Sequence, residues 1–178
     1  MVGIGLCVLL LGSLWTYVEK LRSQRVSLAA NVLLMFSAIT AGLYFVWVKR
    51  SVVDDAFISF RFADNWLNGR GLVWNEGEYV EGITNFLWTL IVGIAAWLLP
   101  WDMPDIALWL CVFCYLANIG VVLAVSRCLF RSGKGSSGYY LPVAASLLAV
   151  QWTTTAYATT GLETAFISLL VDLGLLAL

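Results

Sequence analysis

The stretch VSLAANVLLMFSAITAGLYFVWV, residues 26–48, decides the fold. It runs for 23 residues without a charged side chain. At about 1.5 Å of rise per residue, a helix of this length reaches about 35 Å, more than the roughly 30 Å of hydrocarbon in a bilayer. A charge-free run of that length reads as a membrane span. Lys49 and Arg50 follow at once, then Asp54 and Asp55, so the chain leaves the bilayer here.

Working outward, the rest of the chain agrees. Of its 178 residues 61% are hydrophobic and 12% charged, with a mean hydropathy of +0.88. A soluble domain carries about 25% charged residues, so lipid has to cover much of this apolar surface. Residues 106–126 and 139–157 are also uncharged and long enough to span. Residues 2–18 form a further apolar run, and its basic residues (Lys20, Arg22 and Arg25) come after it. A cleaved leader carries its positive charge before the apolar run, so a retained helix is expected. Residues 85–99 are apolar but only 15 long, and the last run, 165–178, is interrupted by Asp172. The expected architecture is all-α: a polytopic transmembrane helix bundle, one module over residues 1–178. Its outer loop, residues 49–105, holds juxtamembrane amphipathic helices.

Basic loops set the orientation. One loop carries Lys20, Arg22 and Arg25, and another carries Arg127, Arg131 and Lys134. The positive-inside rule puts both in the cytoplasm. They share a side only if an even number of spans separates them, and residues 26–48 and 106–126 supply two. Residues 85–99 are therefore expected as an interfacial or re-entrant helix on the outer side. Trp88 and Trp97 then sit at headgroup level.

Composition also narrows the function. The net charge of -1 offers no basic surface for nucleic acid. The chain has no His, so proton transfer falls to carboxylates. Cys111 and Cys114 form a CxxC inside an apolar run, where small core residues are expected rather than a zinc or redox pair. Surface carboxylates can hold Mg²⁺, Mn²⁺ or Ca²⁺, so a divalent cation stays open as a cofactor, with no complete ligand set spelled out.

The outer loop has internal order. Over residues 55–67 a period of about 100° puts Asp54, Arg61, Asn65 and Asn68 on one face and Ala56, Phe60, Ala63 and Leu67 on the other. This predicts an amphipathic helix near the membrane plane, ended by Gly69 and Gly71. Residues 75–78, NEGE, read as a turn. Three acidic islands stand out: Asp54 with Asp55, Glu81 in VEGITN (80–85), and Glu163 in TTGLET (159–164). Helix capping competes at each. Asp is a favoured N-cap, Thr84 and Asn85 can cap the next helix, and Glu163 opens the last apolar run. Convergence favours function, because the charge count places all three islands on one side. Helix N-termini also bind anions. A carboxylate beside Arg61 and such a terminus makes a site that holds a phosphate and deprotonates a hydroxyl.

Four segments carry a family resemblance: DDAFISFRFA (54–63), NGRGLVWN (68–75), VEGITNFLW (80–88) and TGLET (160–164). Together they resemble a bacterial branch of the GT-C membrane glycosyltransferases, near the mycobacterial terminal arabinofuranosyltransferase-like proteins. They are more distantly similar to lipid A aminoarabinose transferases and protein O-mannosyltransferases. The resemblance covers about residues 48–178. It implies a sugar donor on polyprenyl phosphate, with the lipid tail in the bilayer. The acceptor is a glycan, lipid or protein of the cell envelope. An outer-face carboxylate takes the acceptor proton, the hydroxyl attacks the anomeric carbon with inversion, and the lipid phosphate leaves. Asp54 matches the first acid of the family's pair and is the implied base, with Asp55 beside it. Glu81 matches a second acidic position. Arg61 suits the leaving phosphate by its bidentate geometry. Asn65, Thr84, Asn85 and Glu163 complete the candidate substrate-binding set. The implied place is the bacterial plasma membrane, with the site facing the periplasm or exterior.

Two departures accompany the resemblance. A further helix, residues 2–18, precedes the span that usually comes first. Family members are also several times longer, so the chain is expected to be an incomplete module whose activity alone stays open. The alternatives are a non-catalytic membrane fragment or subunit, and a transporter using Asp54, Asp55 and Glu81 as ion ligands. A transporter site belongs near the midplane on broken helices. Here the acids sit at the surface, which favours the transferase.

Overall fold

The computed structural model describes residues 24–78, 80–132 and 140–178. The helix expected over residues 2–18 lies outside them, as do residues 133–139 of the second basic loop. The described residues form seven helices and no strand: α1 Gln24–Val48, α2 Asp54–Leu67, α3 Phe86–Leu98, α4 Met103–Ser132, α5 Val143–Val150, α6 Trp152–Tyr157 and α7 Thr164–Leu176.

Two of them are long and apolar enough to cross a membrane, over Leu28–Val48 in α1 and Met103–Phe130 in α4. The protein itself buries only 17% of the first apolar window and 44% of the second. A core helix of a soluble domain would be mostly buried. Leu28, Val32, Leu33 and Phe36 all point away from the protein. Leaving such side chains in water forgoes roughly 1.5–3 kcal/mol each, so lipid is their solvent. The chain is a membrane protein.

The helix expected over residues 55–67 forms as α2. Its end is a Schellman motif: Gly69 N–H donates to the Trp66 carbonyl at 3.1 Å and Arg70 N–H to the Asn65 carbonyl at 2.9 Å. Gly69 supplies the left-handed residue this needs, with φ 74°. The turn over residues 75–78 closes through Glu78 N–H to the Asn75 carbonyl at 3.1 Å. The facing of α2 differs from expectation in two places. Asn65 is buried rather than on an open polar face, and Leu67 is exposed. Asn65 anchors the returning loop, donating to the Val73 carbonyl at 2.8 Å and the Trp74 carbonyl at 3.0 Å.

α3 has 13 residues, about 20 Å of helix, and is too short to cross alone. Trp97 is exposed, but Trp88 is not an interface residue. It is 2% exposed, and its indole N–H donates to the Gly161 carbonyl at 2.8 Å. With its one polar atom paired, the ring joins a core of Ala56, Phe60, Val92, Ala107 and Cys111, against which Leu162 and Phe166 pack. Cys111 and Cys114 are free, buried core residues.

The single span expected over residues 139–157 is broken. Val143–Val150 and Trp152–Tyr157 are separate helices, and Gln151 between them is extended at φ -61°, ψ 132°. Hydroxyls from outside the backbone ladder answer the carbonyls freed by the break. Thr154 donates to the Leu148 carbonyl at 2.7 Å, and Tyr115 of α4 to the Ala149 carbonyl at 2.6 Å. The broken pair still runs from one end of the bundle to the other. At the first end, Asn31 of α1 donates to the Tyr140 carbonyl at 3.0 Å, and Ser126 of α4 lies 2.6 Å from the Tyr140 hydroxyl. At the other end, Val53 N–H donates to the Thr160 carbonyl at 3.0 Å.

Candidate functional site

That second end gathers α2, the start of α3 and the loop over residues 159–163. Gly161 allows the loop to lie flat on α2. Its φ is 79°, and a Cβ there would stand 3.1 Å from both the Ala56 Cβ and the Val52 Cγ1. Gly82 passes the Phe62 ring closely too, where a Cβ would stand 2.9 Å from its Cζ. Between these segments lies a polar cleft of about 280 Å³, lined by Asp55, Ser59, Thr84, Asn85 and Glu163, with Ile58, Ile83 and Leu162. Ligand pockets start at about 300 Å³, so the cleft is of a size for one small ring.

The polar contacts in the cleft link residues far apart in sequence. The Asn85 Nδ2 donates to the Glu163 Oε2 at 2.8 Å. Its Oδ1 accepts from the Ser59 hydroxyl at 3.1 Å and the Thr89 hydroxyl at 3.2 Å. Asn85 is the N-cap position of α3 and Glu163 that of α7, yet neither side chain caps its own helix. They bond each other instead, and Asn85 also accepts from Ser59 and Thr89. The amide N–H groups at these two N-termini therefore keep their partial positive charge without a side-chain partner. Asp54 and Asp55 are not caps either, because Val53 holds the N-cap position of α2. They occupy its first turn, where the helix dipole favours carboxylates.

Not every expected residue reaches the cleft. Asp55, Thr84, Asn85 and Glu163 line it; Asp54, Arg61, Asn65 and Glu81 do not. Helix geometry explains the division. Asp55, Ile58 and Ser59 are three and four positions apart and share a face, whereas Asp54 and Arg61 lie on another. Arg61 Nε donates to the Trp74 carbonyl at 3.2 Å, and the Asn65 amide is spent on the same loop. Ser59 was not singled out from sequence, although its spacing of four from Asp55 was the available signal. Among the described residues, no three of His, Cys, Asp and Glu come together as a metal-binding group.

Over 132 residues the chain is 33% identical to the terminal β-(1→2)-arabinofuranosyltransferase of Mycobacterium tuberculosis, a match covering 73% of this chain and 21% of the relative. The chain resembles terminal arabinofuranosyltransferases. A second relative of the same description, from Corynebacterium glutamicum, is 36% identical over 95 residues, covering 51% of this chain and 14% of the relative. The chain thus matches 21% and 14% of the lengths of these two curated relatives. No family model and no solved structure matches it. Both likenesses are to transferases of a sugar, in keeping with the family resemblance carried by residues 54–88 and 160–164.

Proposed function

We propose that the chain forms part of a membrane glycosyltransferase. It moves a sugar from a polyprenyl-phosphate donor to a glycan, lipid or protein acceptor of the cell envelope, at the outer face of the bacterial plasma membrane. The observation that carries this reading is the cleft that Asp55 and Glu163 both line, beside two helix N-termini without side-chain caps. The likeness to arabinofuranosyltransferases supports it.

In this reading the base is Asp55 rather than Asp54, because Asp55 is the member of the pair that faces the cleft. The acceptor O–H gives its proton to the Asp55 carboxylate. The acceptor oxygen forms a bond to the anomeric carbon as the bond from that carbon to the phosphate oxygen breaks. The lipid phosphate leaves with the electron pair. The N-termini of α3 and α7 stabilise its negative charge. Glu163, held by Asn85, accepts hydrogen bonds from sugar hydroxyls and orients the ring.

The test is transfer by the full-length protein from a synthetic polyprenyl-phosphate sugar. Asp55→Asn should lower kcat by about 10²–10⁴-fold, the usual cost of removing a general base, while Asp54→Asn keeps most of the rate. The opposite order would return the base to Asp54. Near-normal turnover by both variants would sink the reading of the cleft as the reacting centre.

A further inference from the structure

A second pocket, of about 270 Å³, shares the 159–163 loop through Thr159. Its walls are Leu43, Val46 and Trp47 of α1 and Leu108, Trp109 and Val112 of α4. It therefore sits between the two helices that are long and apolar enough to cross the bilayer, at the end where α1 stops and α4 starts. Its remaining lining is polar: Arg50, Asp105 and Thr159. The guanidinium of Arg50 stands 4.2 Å over the Trp47 ring, which fixes it beside the apolar wall. Thr159 is 1% exposed, and its hydroxyl has no hydrogen-bond partner. Buried hydroxyls are normally paired, so Thr159 is an unused donor in the pocket wall.

We propose that this pocket holds one bilayer phospholipid with a zwitterionic head, a phosphodiester joined to a primary amine. The charges select the head. Arg50 offers a planar fork for the phosphate oxygens, and Asp105 offers a carboxylate for the ammonium. The two make no ion pair with each other, so both are free to face a dipolar head. A purely anionic head would satisfy Arg50 but meet Asp105 as a like charge. The Thr159 hydroxyl donates to a phosphate or ester oxygen, and one acyl chain runs along the six apolar side chains. Trp47 and Trp109 belong at the membrane interface where such heads lie. The proposal stands independently of the transferase reading, because the pocket shares no lining residue with the polar cleft.

Native mass spectrometry of the full-length protein in mild detergent tests it, with equimolar phosphatidylethanolamine and phosphatidylglycerol of matched acyl chains. One charge near a membrane surface is worth about 1 kcal/mol, or about fivefold. Phosphatidylethanolamine should be retained about fivefold over phosphatidylglycerol. Asp105→Asn should erase that preference without abolishing binding, and Arg50→Gln should weaken retention of both lipids. Arg50 and Asp105 are exposed, so these variants should fold, and Thr159→Val offers a nearly isosteric third one that should lower phosphatidylethanolamine retention. Equal retention of the two lipids by the unaltered protein would overturn the proposal, as would an Asp105→Asn variant that keeps the preference. Displacement of phosphatidylethanolamine by an equimolar polyprenyl phosphate would also overturn it and give the pocket to a prenyl lipid.

Discussion

Asn85 and Glu163 each open a helix, and their side chains bond each other instead of capping it. Both residues were legible as polar starts of apolar runs, and local capping accounted for either alone. Their pairing was not legible, because 78 residues separate them and no local periodicity reports a contact of that range. The proposed shift of the base from Asp54 to Asp55 has a related origin. Asn65 and Arg61 drew attention to the face they share with Asp54, but both serve the loop that returns over Trp74. A polar side chain on a helix can be a tie for its neighbour as easily as a contact for a substrate. Gly161 gives a test at this scale. Gly161→Ala places a Cβ at φ 79° against Ala56 and Val52, and strain of that kind costs about 1–3 kcal/mol. The expected result is a lower Tm in detergent together with a loss of transfer. An unchanged Tm would mean that the 159–163 loop is not seated on α2.

Elements whose ends are written in glycine were readable in advance. α2 stops where Gly69 allows a left-handed residue, and the next turn uses Gly77 at φ 84° in the same way. The break at Gln151 carries no such mark. Hydropathy sees only that residues 139–157 are uncharged, and it cannot see that Thr154 and Thr155 turn their hydroxyls onto backbone carbonyls. Those bonds offer the chain an alternative to continuing the helix. The break also relies on Tyr115, whose hydroxyl is the partner of the Ala149 carbonyl. Tyr115→Phe keeps the ring and removes that partner. An unpaired buried carbonyl costs about 1–3 kcal/mol, and thermal unfolding in detergent should report a loss of that size. A loss no larger than a few tenths would show that the carbonyl finds another donor.

Across the whole molecule, the question is how many times the chain crosses. α1 and α4 have the length, and α3 does not. If α3 stays at the interface, Glu81 and Asp102, which flank it, lie on one side. Single cysteines at these positions, in a background lacking the native ones, should both react with a membrane-impermeant maleimide applied from outside. Reaction at Asp102 only after the membrane is permeabilised would make α3 a crossing element and put the two basic loops on opposite faces. The broken segment has a consequence for how such a chain is built. Its carbonyls at Leu148 and Ala149 cannot enter lipid bare, since each unpaired group there costs several kcal/mol. Thr154 lies within the segment itself, but Tyr115 belongs to α4. The segment is thus unfit for hydrocarbon until α4 stands beside it. Synthesis from the N-terminus delivers α4 first, so the order of residues along the chain is also a workable order of insertion, and a circular permutant that presented residues 140–157 ahead of α4 would have to wait for its partner.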